Sequence, residues 1–229
     1  MKNSLRILIL SAAFGFAAPA AVFAQHSGGM AHPGAEHHTH GSHFGNAEKW
    51  AKTFDDPKRD AWQKPHEILM ALDPKPGDMV ADLGAGTGYL AVRLARHVPK
   101  GKVYAVDISK DMVAHLAKRA KENGIANLAA IQGSETSANL PEKIDLAVLL
   151  DVYHHIGDRK AYFGKLKSSL KPGARIAIID FRPEAKYGAP KHMRLPVAVV
   201  DTEMAAAGYR RTASHDFLPR QYFLIYQAK

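Results

Sequence analysis

Residues 79–88 read Met-Val-Ala-Asp-Leu-Gly-Ala-Gly-Thr-Gly, and the fold follows from how this run divides. Met79 to Gly84 is a short apolar run with a single carboxylate, of the length and branching expected for a buried parallel strand. Gly84, Gly86 and Gly88 then let the chain turn sharply and bring its backbone close to a ligand at the carboxyl edge of a sheet. A dinucleotide fingerprint has the spacing G-x-G-x-x-G, and its third glycine falls on position 89, which is Tyr89. The spacing here is G-x-G-x-G, with Asp82 two places before the first glycine.

Working outward, strand and helix patterns alternate. A helix is expected over about 88–97, a second strand over 102–109, a helix over about 110–123 closed by Asn123-Gly124, and a short strand over 128–133. A buried strand follows at 144–151, then a helix from Asp158 to about Leu170, a Lys-Pro-Gly turn at 171–173 and a strand at 174–181. After a helix near 196–207, strands near 210–217 and 221–227 are joined too closely for a parallel crossover and predict an antiparallel edge hairpin. Two helices, 47–54 and about 66–72, precede the first strand. The expected fold class is α/β: a doubly wound, mostly parallel seven-stranded sheet with an antiparallel C-terminal edge hairpin.

The second strand ends in Asp107, where a carboxylate can accept hydrogen bonds from both ribose hydroxyls of an adenosine group. Asp107 has an alternative role as N-cap of the next helix, but Ser109 stands at the better capping position.

Composition narrows the function classes. The chain has 229 residues, no cysteine and a formal charge of +9. Without cysteine there is no disulfide framework, thiolate metal site or cysteine nucleophile. Lys2 and Arg6 lie in an apparent N-terminal leader; without them 29 basic residues face 22 acidic ones. These are spread along the chain without a basic run, which argues against nucleic acid as a partner.

Residues 1–24 carry a basic start, an apolar stretch from Ile7 to Phe16 and small residues ending at Ala24. That three-part pattern is a secretory signal peptide, with cleavage expected after Ala24 and a periplasmic or secreted location. The alternative is an uncleaved signal that stays as a membrane anchor, the only membrane association the sequence suggests. Residues 25–45, with six histidines at His26, His32, His37, His38, His40 and His43, read as a disordered linker with incidental metal affinity rather than a dedicated metal site. The folded domain is expected over 46–229.

Four ordered segments, VADLGAGTGYL, VYAVDIS, IDLAVLLDVYHHI and LKPGARIAIIDF, resemble the motifs of class I (Rossmann-like) S-adenosylmethionine (SAM)-dependent methyltransferases, and the resemblance covers nearly all of 47–229. It implies SAM as cofactor and a methyl acceptor that is a small molecule or lipid-like. By position it implies Asp82 and Gly84 near the amino-acid part of SAM, Gly86 and Gly88 in close backbone approach, and Asp107 on the ribose. Ile108 and Met112 would pack on the adenine, with Ser134 and Glu135 at its edge, and Asp151 would face the methyl-donor end. The segment RDAWQKP (59–65) is also seen before the first motif in some of these proteins. There Trp62, Gln63 and Lys64 either close over the ligand or, for Trp62, pack the first helix on the sheet.

Methyl transfer from a sulfonium is an in-line displacement, in which the protein aligns the acceptor, excludes water and, for a hydroxyl or protonated amine, supplies a general base. His154 and His155, beside Asp151, are the candidate bases, and the sequence leaves open which one acts. Asp180, Arg182, Tyr187 and His192 are candidates for the acceptor wall. A metal site at His154, His155 and His192 is an alternative that the chemistry does not require, and none is expected. The competing functions are an exported non-catalytic SAM-fold or metal-handling binding protein and an NAD-dependent oxidoreductase, the latter disfavoured by the glycine spacing and the edge hairpin.

Overall fold

The computed structural model describes residues 46–229. The signal-peptide and linker expectations for 1–24 and 25–45 lie outside the described residues. Three helices come first: α1 (Ala47–Phe54), α2 (Asp60–Gln63) and α3 (Pro65–Leu72). The alternating part follows as β1 (Met79–Leu83), α4 (Ala91–His97), β2 (Lys102–Asp107), α5 (Lys110–Glu122), β3 (Leu128–Gln132), β4 (Ile144–Leu150), α6 (Arg159–Leu166), β5 (Leu170–Phe181) and α7 (Val197–Ala206). The chain closes on β6 (Tyr209–His215) and β7 (Gln221–Ala228).

The seven strands form one sheet in the order β3-β2-β1-β4-β5-β7-β6. All pairs from β3 to β5 are parallel, while β7 runs antiparallel to both β5 and β6. The expected seven-stranded sheet and its reversed C-terminal hairpin are therefore both present. From β1 the chain builds outward first through β2 and β3, then crosses to β4 and β5 on the other side. A crevice opens at such a reversal, at the carboxyl ends of the strands.

Successive strand residues point to opposite faces, and both faces are covered. Val80, Val103, Val148 and Ile179 pack with α3, α4 and α5 on one side. Ala81, Tyr104, Leu149 and Ile178 pack with α6 and α7 on the other. With no polar face left on the central strands, they read as continuous apolar runs rather than as alternation.

A short helix, α2, stands where none was expected, and the largest boundary differences from expectation fall at two places. The helix expected from position 88 starts at Ala91, because Gly84, Gly86 and Gly88 all have positive φ (77°, 55° and 91°) and keep the chain in a turn. The helix expected from Asp158 to Leu170 ends at Leu166, passes into a 3-10 turn at Lys167–Ser169, and Leu170 already pairs with Ile144. The Lys-Pro-Gly turn is an excursion inside β5: the pairing resumes at Leu146 opposite Arg175.

Candidate active site

A cavity of about 950 Å³ lies over the carboxyl ends of the strands, at the size limit of an ordinary small-molecule site. Its floor runs from the ends of β2 and β3, across the glycine turn after β1, to the ends of β4 and β5; its roof includes Trp50, Phe54, Arg59 and Trp62. The roof is pinned just after the C-terminal end of α1, where Arg119 of α5 binds both Asp55 oxygens at 2.9 Å and the Thr87 carbonyl at 2.7 Å.

At the donor end the glycine turn is locked to β2. The Gly84 and Ala85 amides donate to the Val106 carbonyl at 2.8 and 2.9 Å, and the Gly86 amide donates to Asp107 Oδ2 at 2.8 Å. Asp107 Oδ1 accepts from the Ser109 amide at 2.9 Å, and Ser109 itself caps α5 by accepting from the Met112 amide. The capping role thus falls to Ser109. Asp107 organises the turn and lines the cavity, with Ile108, Met112, Ser134 and Glu135 around it. Burial raises its pKa, opposed by the backbone N–H groups of Ser109 and Gly86.

Asp82 is 2% exposed and lines the floor. Burial first, and then the charge of Asp107, push its pKa up to about 7. Its Oδ2 and the Thr87 hydroxyl are buried without a hydrogen-bond partner in the protein. An orphaned buried acceptor is costly unless a ligand donor completes it, and the ammonium of an amino-acid ligand is such a donor. Asp82, the cradle of turn amides and the apolar floor by Ile108 and Met112 therefore suit the parts of SAM.

Gly88 differs from its neighbours. It does not line the cavity, and a Cβ there would come within 2.8 Å of Leu116 on α5. Its expected approach to the ligand is corrected to a packing role between the turn and α5. Gly84 does line the cavity, yet a Cβ on it would meet Val152 at 2.5 Å, so protein packing constrains it as well.

At the acceptor end the two histidines separate. His154 Nδ1 lies 2.8 and 2.9 Å from the two Asp180 oxygens, and its backbone amide donates to Asp180 Oδ2 at 3.0 Å. The Phe181 amide completes the carboxylate at 2.7 Å. With Nδ1–H donating to Asp180, the lone pair sits on Nε2, the arrangement that orients an imidazole as a base. The His155 ring packs on His154 with centroids 4.1 Å apart, and both histidines line the cavity. Asp180 stands behind His154 rather than in the wall.

Asp151 follows β4 with φ of 60°, a left-handed backbone that a non-glycine residue adopts at a cost of about 1–3 kcal/mol. Burial raises its pKa to about 7, with Asp180 acting the same way and Arg59, Gln221 and His154 opposing. Arg59 Nη2 donates to Asp151 Oδ2 at 3.2 Å.

Of Trp62, Gln63 and Lys64, only Trp62 lines the cavity, with its ring 6.2 Å from Phe181. Gln63 is buried against Gln221, and Lys64 donates to the Phe217 carbonyl at 3.1 Å. The expected acceptor wall is also redrawn. Arg182 braces the Gln221 carbonyl, Tyr187 is 57% exposed, His192 is exposed, and none of the three lines the cavity; Phe181 and Gly188 to Pro190 do. Among the described residues no group of three or more His, Cys, Asp or Glu side chains is placed to hold a metal ion, and no helix is long and apolar enough to cross a membrane.

Arg59 and Gln221 are functional candidates that the sequence did not reveal. Arg59 and Gln63 stand four apart, so their pairing has a helical spacing as its signal; Gln221 has none. Tyr89, noticed only as the residue that breaks the dinucleotide spacing, lies between the Arg59 and Arg93 guanidinium groups at 4.1 and 4.2 Å, and its hydroxyl donates to Asp60 at 2.6 Å.

Comparison with known proteins agrees with this architecture. Residues 74–216 match the family model described as a methyltransferase domain. Over 114 residues the chain is 36% identical to a 2-phytyl-1,4-naphtoquinone methyltransferase of Trichormus variabilis, covering 47% of this chain and 48% of that protein. Over 115 residues it is 34% identical to a protein-L-isoaspartate O-methyltransferase of Aeropyrum pernix, covering 48% and 42%. The chain thus spans about half or less of the length of these curated relatives. A SAM-dependent methyltransferase structure from Aquifex aeolicus superposes with a TM-score of 0.75 at 26% identity, over 80% of this chain and 99% of that one. A sheet reversed at its last two strands, a G-x-G-x-G turn tied to Asp107 and a family match over more than half the sequence lead to one conclusion: this chain belongs to the methyltransferase-domain family and has the Rossmann-like fold of SAM-dependent methyltransferases.

Proposed function

We propose that the protein transfers a methyl group from SAM to a hydroxyl of a small, largely apolar acceptor, with His154 as the general base. The observation that carries this reading is the His154–Asp180 pair at the acceptor end of a cavity whose opposite end suits SAM. SAM, when bound, supplies a methyl group on a sulfonium leaving group. The protein's part is to hold the two reactants in line, keep water out and take a proton. Asp180, 2% exposed and hydrogen-bonded on both oxygens, fixes the ring of His154 and stabilises the imidazolium formed when Nε2 accepts the acceptor's proton. Trp62, Phe181 and Tyr162 supply the apolar wall against which a flat acceptor is held. Asp151, in the same loop as His154, offers negative charge near the reacting centre in its ionised form.

Both tryptophans of the chain, Trp50 and Trp62, line the cavity, so ligand binding is read directly by intrinsic fluorescence. Titration with S-adenosylhomocysteine is expected to saturate a fluorescence change that NAD does not produce. Labelled SAM is then expected to methylate members of a panel of phenols and alcohols. Absence of a saturable response to S-adenosylhomocysteine sinks the cofactor assignment. Methylation of amines or thiols with hydroxyl compounds left untouched sinks the acceptor assignment.

The location follows from the pattern of residues 1–24 alone, which supports export to the periplasm or beyond. N-terminal sequencing of protein from fractionated cells tests it, and Gln25 is the expected first residue.

A further inference from the structure

Beneath the roof four side chains close a hydrogen-bonded ring. Arg59 donates to Gln63 Oε1 from Nε at 3.2 Å and from Nη2 at 3.1 Å, and Nη2 also reaches Asp151 Oδ2 at 3.2 Å. Gln63 Nε2 donates to Gln221 Oε1 at 2.8 Å, and Gln221 Nε2 donates back to Asp151 Oδ1. Each nitrogen in the circuit donates to an oxygen, so both amide orientations are fixed by the ring itself. Gln63 and Gln221 have no solvent exposure.

The ring joins three remote parts of the chain. Arg59 and Gln63 come from the roof, Asp151 from the end of β4, and Gln221 from the first position of β7. Arg59 reaches further: its Nη1 donates to the carbonyl of Phe54, the last residue of α1, at 3.1 Å, and its face lies on the Tyr89 ring at the end of the glycine turn. Three of the four members fall outside residues 74–216, the segment matched to the family model.

We propose that Arg59 is a positioning residue for methyl transfer: through the ring it holds the Asp151 carboxylate and the roof helices in one arrangement, so that closing the cavity and fixing that carboxylate are a single event. The part of this concerning transfer rests on the SAM reading; the part concerning the roof does not. Charge follows from the geometry. Asp151 is faced by Arg59 from the roof, Asp180 from β5, His154 from the loop after β4 and the neutral Gln221 from β7. Burial and Asp180 favour its neutral form, and Arg59 leads the groups that oppose them. Loss of Arg59 therefore raises the pH at which Asp151 ionises. Binding of the SAM sulfonium near it then requires a higher pH.

The test uses the full chain with two variants, Arg59→Met and Gln63→Leu. Amide hydrogen exchange is followed over 47–63, and affinities for SAM and for S-adenosylhomocysteine are measured by tryptophan fluorescence from pH 5 to pH 9. The two share the ammonium and differ in the sulfonium charge, so the midpoint for SAM set against that for S-adenosylhomocysteine reports Asp151. Arg59→Met is expected to speed exchange in the roof at least tenfold, weaken binding about tenfold and move the midpoint of its pH dependence upward. Gln63→Leu opens the ring but keeps the Arg59–Asp151 pair; it is expected to speed exchange while leaving the pH midpoint in place. Arg59→Lys returns the charge without the fork, and recovers the midpoint but not the protection. Should Arg59→Met fail to fold, Gln63→Leu still decides the matter. Roof exchange within twofold of the wild type in Gln63→Leu overturns the proposal, as does an unchanged pH midpoint in a folded Arg59→Met. If the wild type binds no S-adenosylhomocysteine, the functional reading fails, and the exchange measurement alone decides on the ring.

Discussion

At the donor end of the cavity, Asp82, Gly84, Gly86 and Asp107 come from two short stretches and act largely through backbone: turn amides on the Val106 carbonyl and on Asp107. At the acceptor end, Trp62, Asp151, His154 and Phe181 come from three separate segments and act through side chains held by other side chains. A backbone cradle depends on local conformation, so it demands particular residues at fixed spacing. A wall of side chains can be assembled from anywhere the fold brings together. The first fits a ligand that stays the same, and the second lets the acceptor change while the fold is kept.

That contrast is broken most directly at His154. His154→Ala is expected to lower kcat by about 10²–10⁴ while affinity for S-adenosylhomocysteine stays within about threefold, since a general base acts in the transfer and not in donor binding. A matching loss of affinity would show that the two ends are not separable. Asp180→Asn should reproduce most of the loss in kcat, because it removes the partner that orients the imidazole.

The next effect belongs to the donor end. Asp107→Ala is expected to weaken S-adenosylhomocysteine binding by about 10- to 100-fold, the loss of charge-assisted hydrogen bonds plus some loosening of the turn at Gly86. Isothermal titration checks this, and an effect below threefold would take Asp107 out of the cofactor site.

Asp82 and Asp151 sharpen the comparison through pH. Burial pushes both up to about 7 from the ordinary carboxylate value of 3.8. Between those values the native protein holds more protons than the unfolded chain, so stability without ligand falls as pH rises from about 4 to about 7. Asp82→Asn removes one of the two contributions. It is expected to melt about 5 °C higher than the wild type at pH 8 without ligand and to bind S-adenosylhomocysteine about tenfold more weakly. A lower melting temperature would show that the carboxylate is needed by the fold and not by a ligand. The smallest effect is at the rim: Tyr187→Ala and His192→Ala, both outside the cavity wall, should leave kcat/KM within about twofold.

Legibility in the sequence followed the same division. The strands from 79 to 181 could be located because parallel strands covered on both faces are apolar runs, and because glycines mark the turn. The donor residues were legible for the same reason, with Gly88 as the exception: its spacing is that of the motif, but its neighbour is Leu116 rather than the cavity. At the acceptor end the sequence could name Asp151, His154 and His155 because they follow a strand, yet it could not choose between the histidines. The choice lies in Asp180, 26 positions away and brought alongside by the pairing of β4 with β5. Gln221 had no signal at all. Its place is fixed by a partner 158 positions away, and a glutamine opening an edge hairpin looks like any surface residue. The helix bounds at Ala91 and Leu166 depart from the sequence pattern because a turn or a strand pairing overrides helical propensity there.

The reversed direction of β7 has a practical consequence. Because that strand starts at the cavity edge with Gln221, it must finish at the opposite edge, where Gln227 pairs with Arg175 near the start of the excursion-free part of β5. Lys229 therefore emerges on the far side of the sheet, tied to Gly208. The other end of the described chain, Asn46, is tied to Asp111 at the start of α5, directly beside the roof. Among the described residues, a label fixed near Lys229 leaves the mouth of the cavity open to solution, whereas one fixed at Asn46 stands beside the roof through which ligands enter.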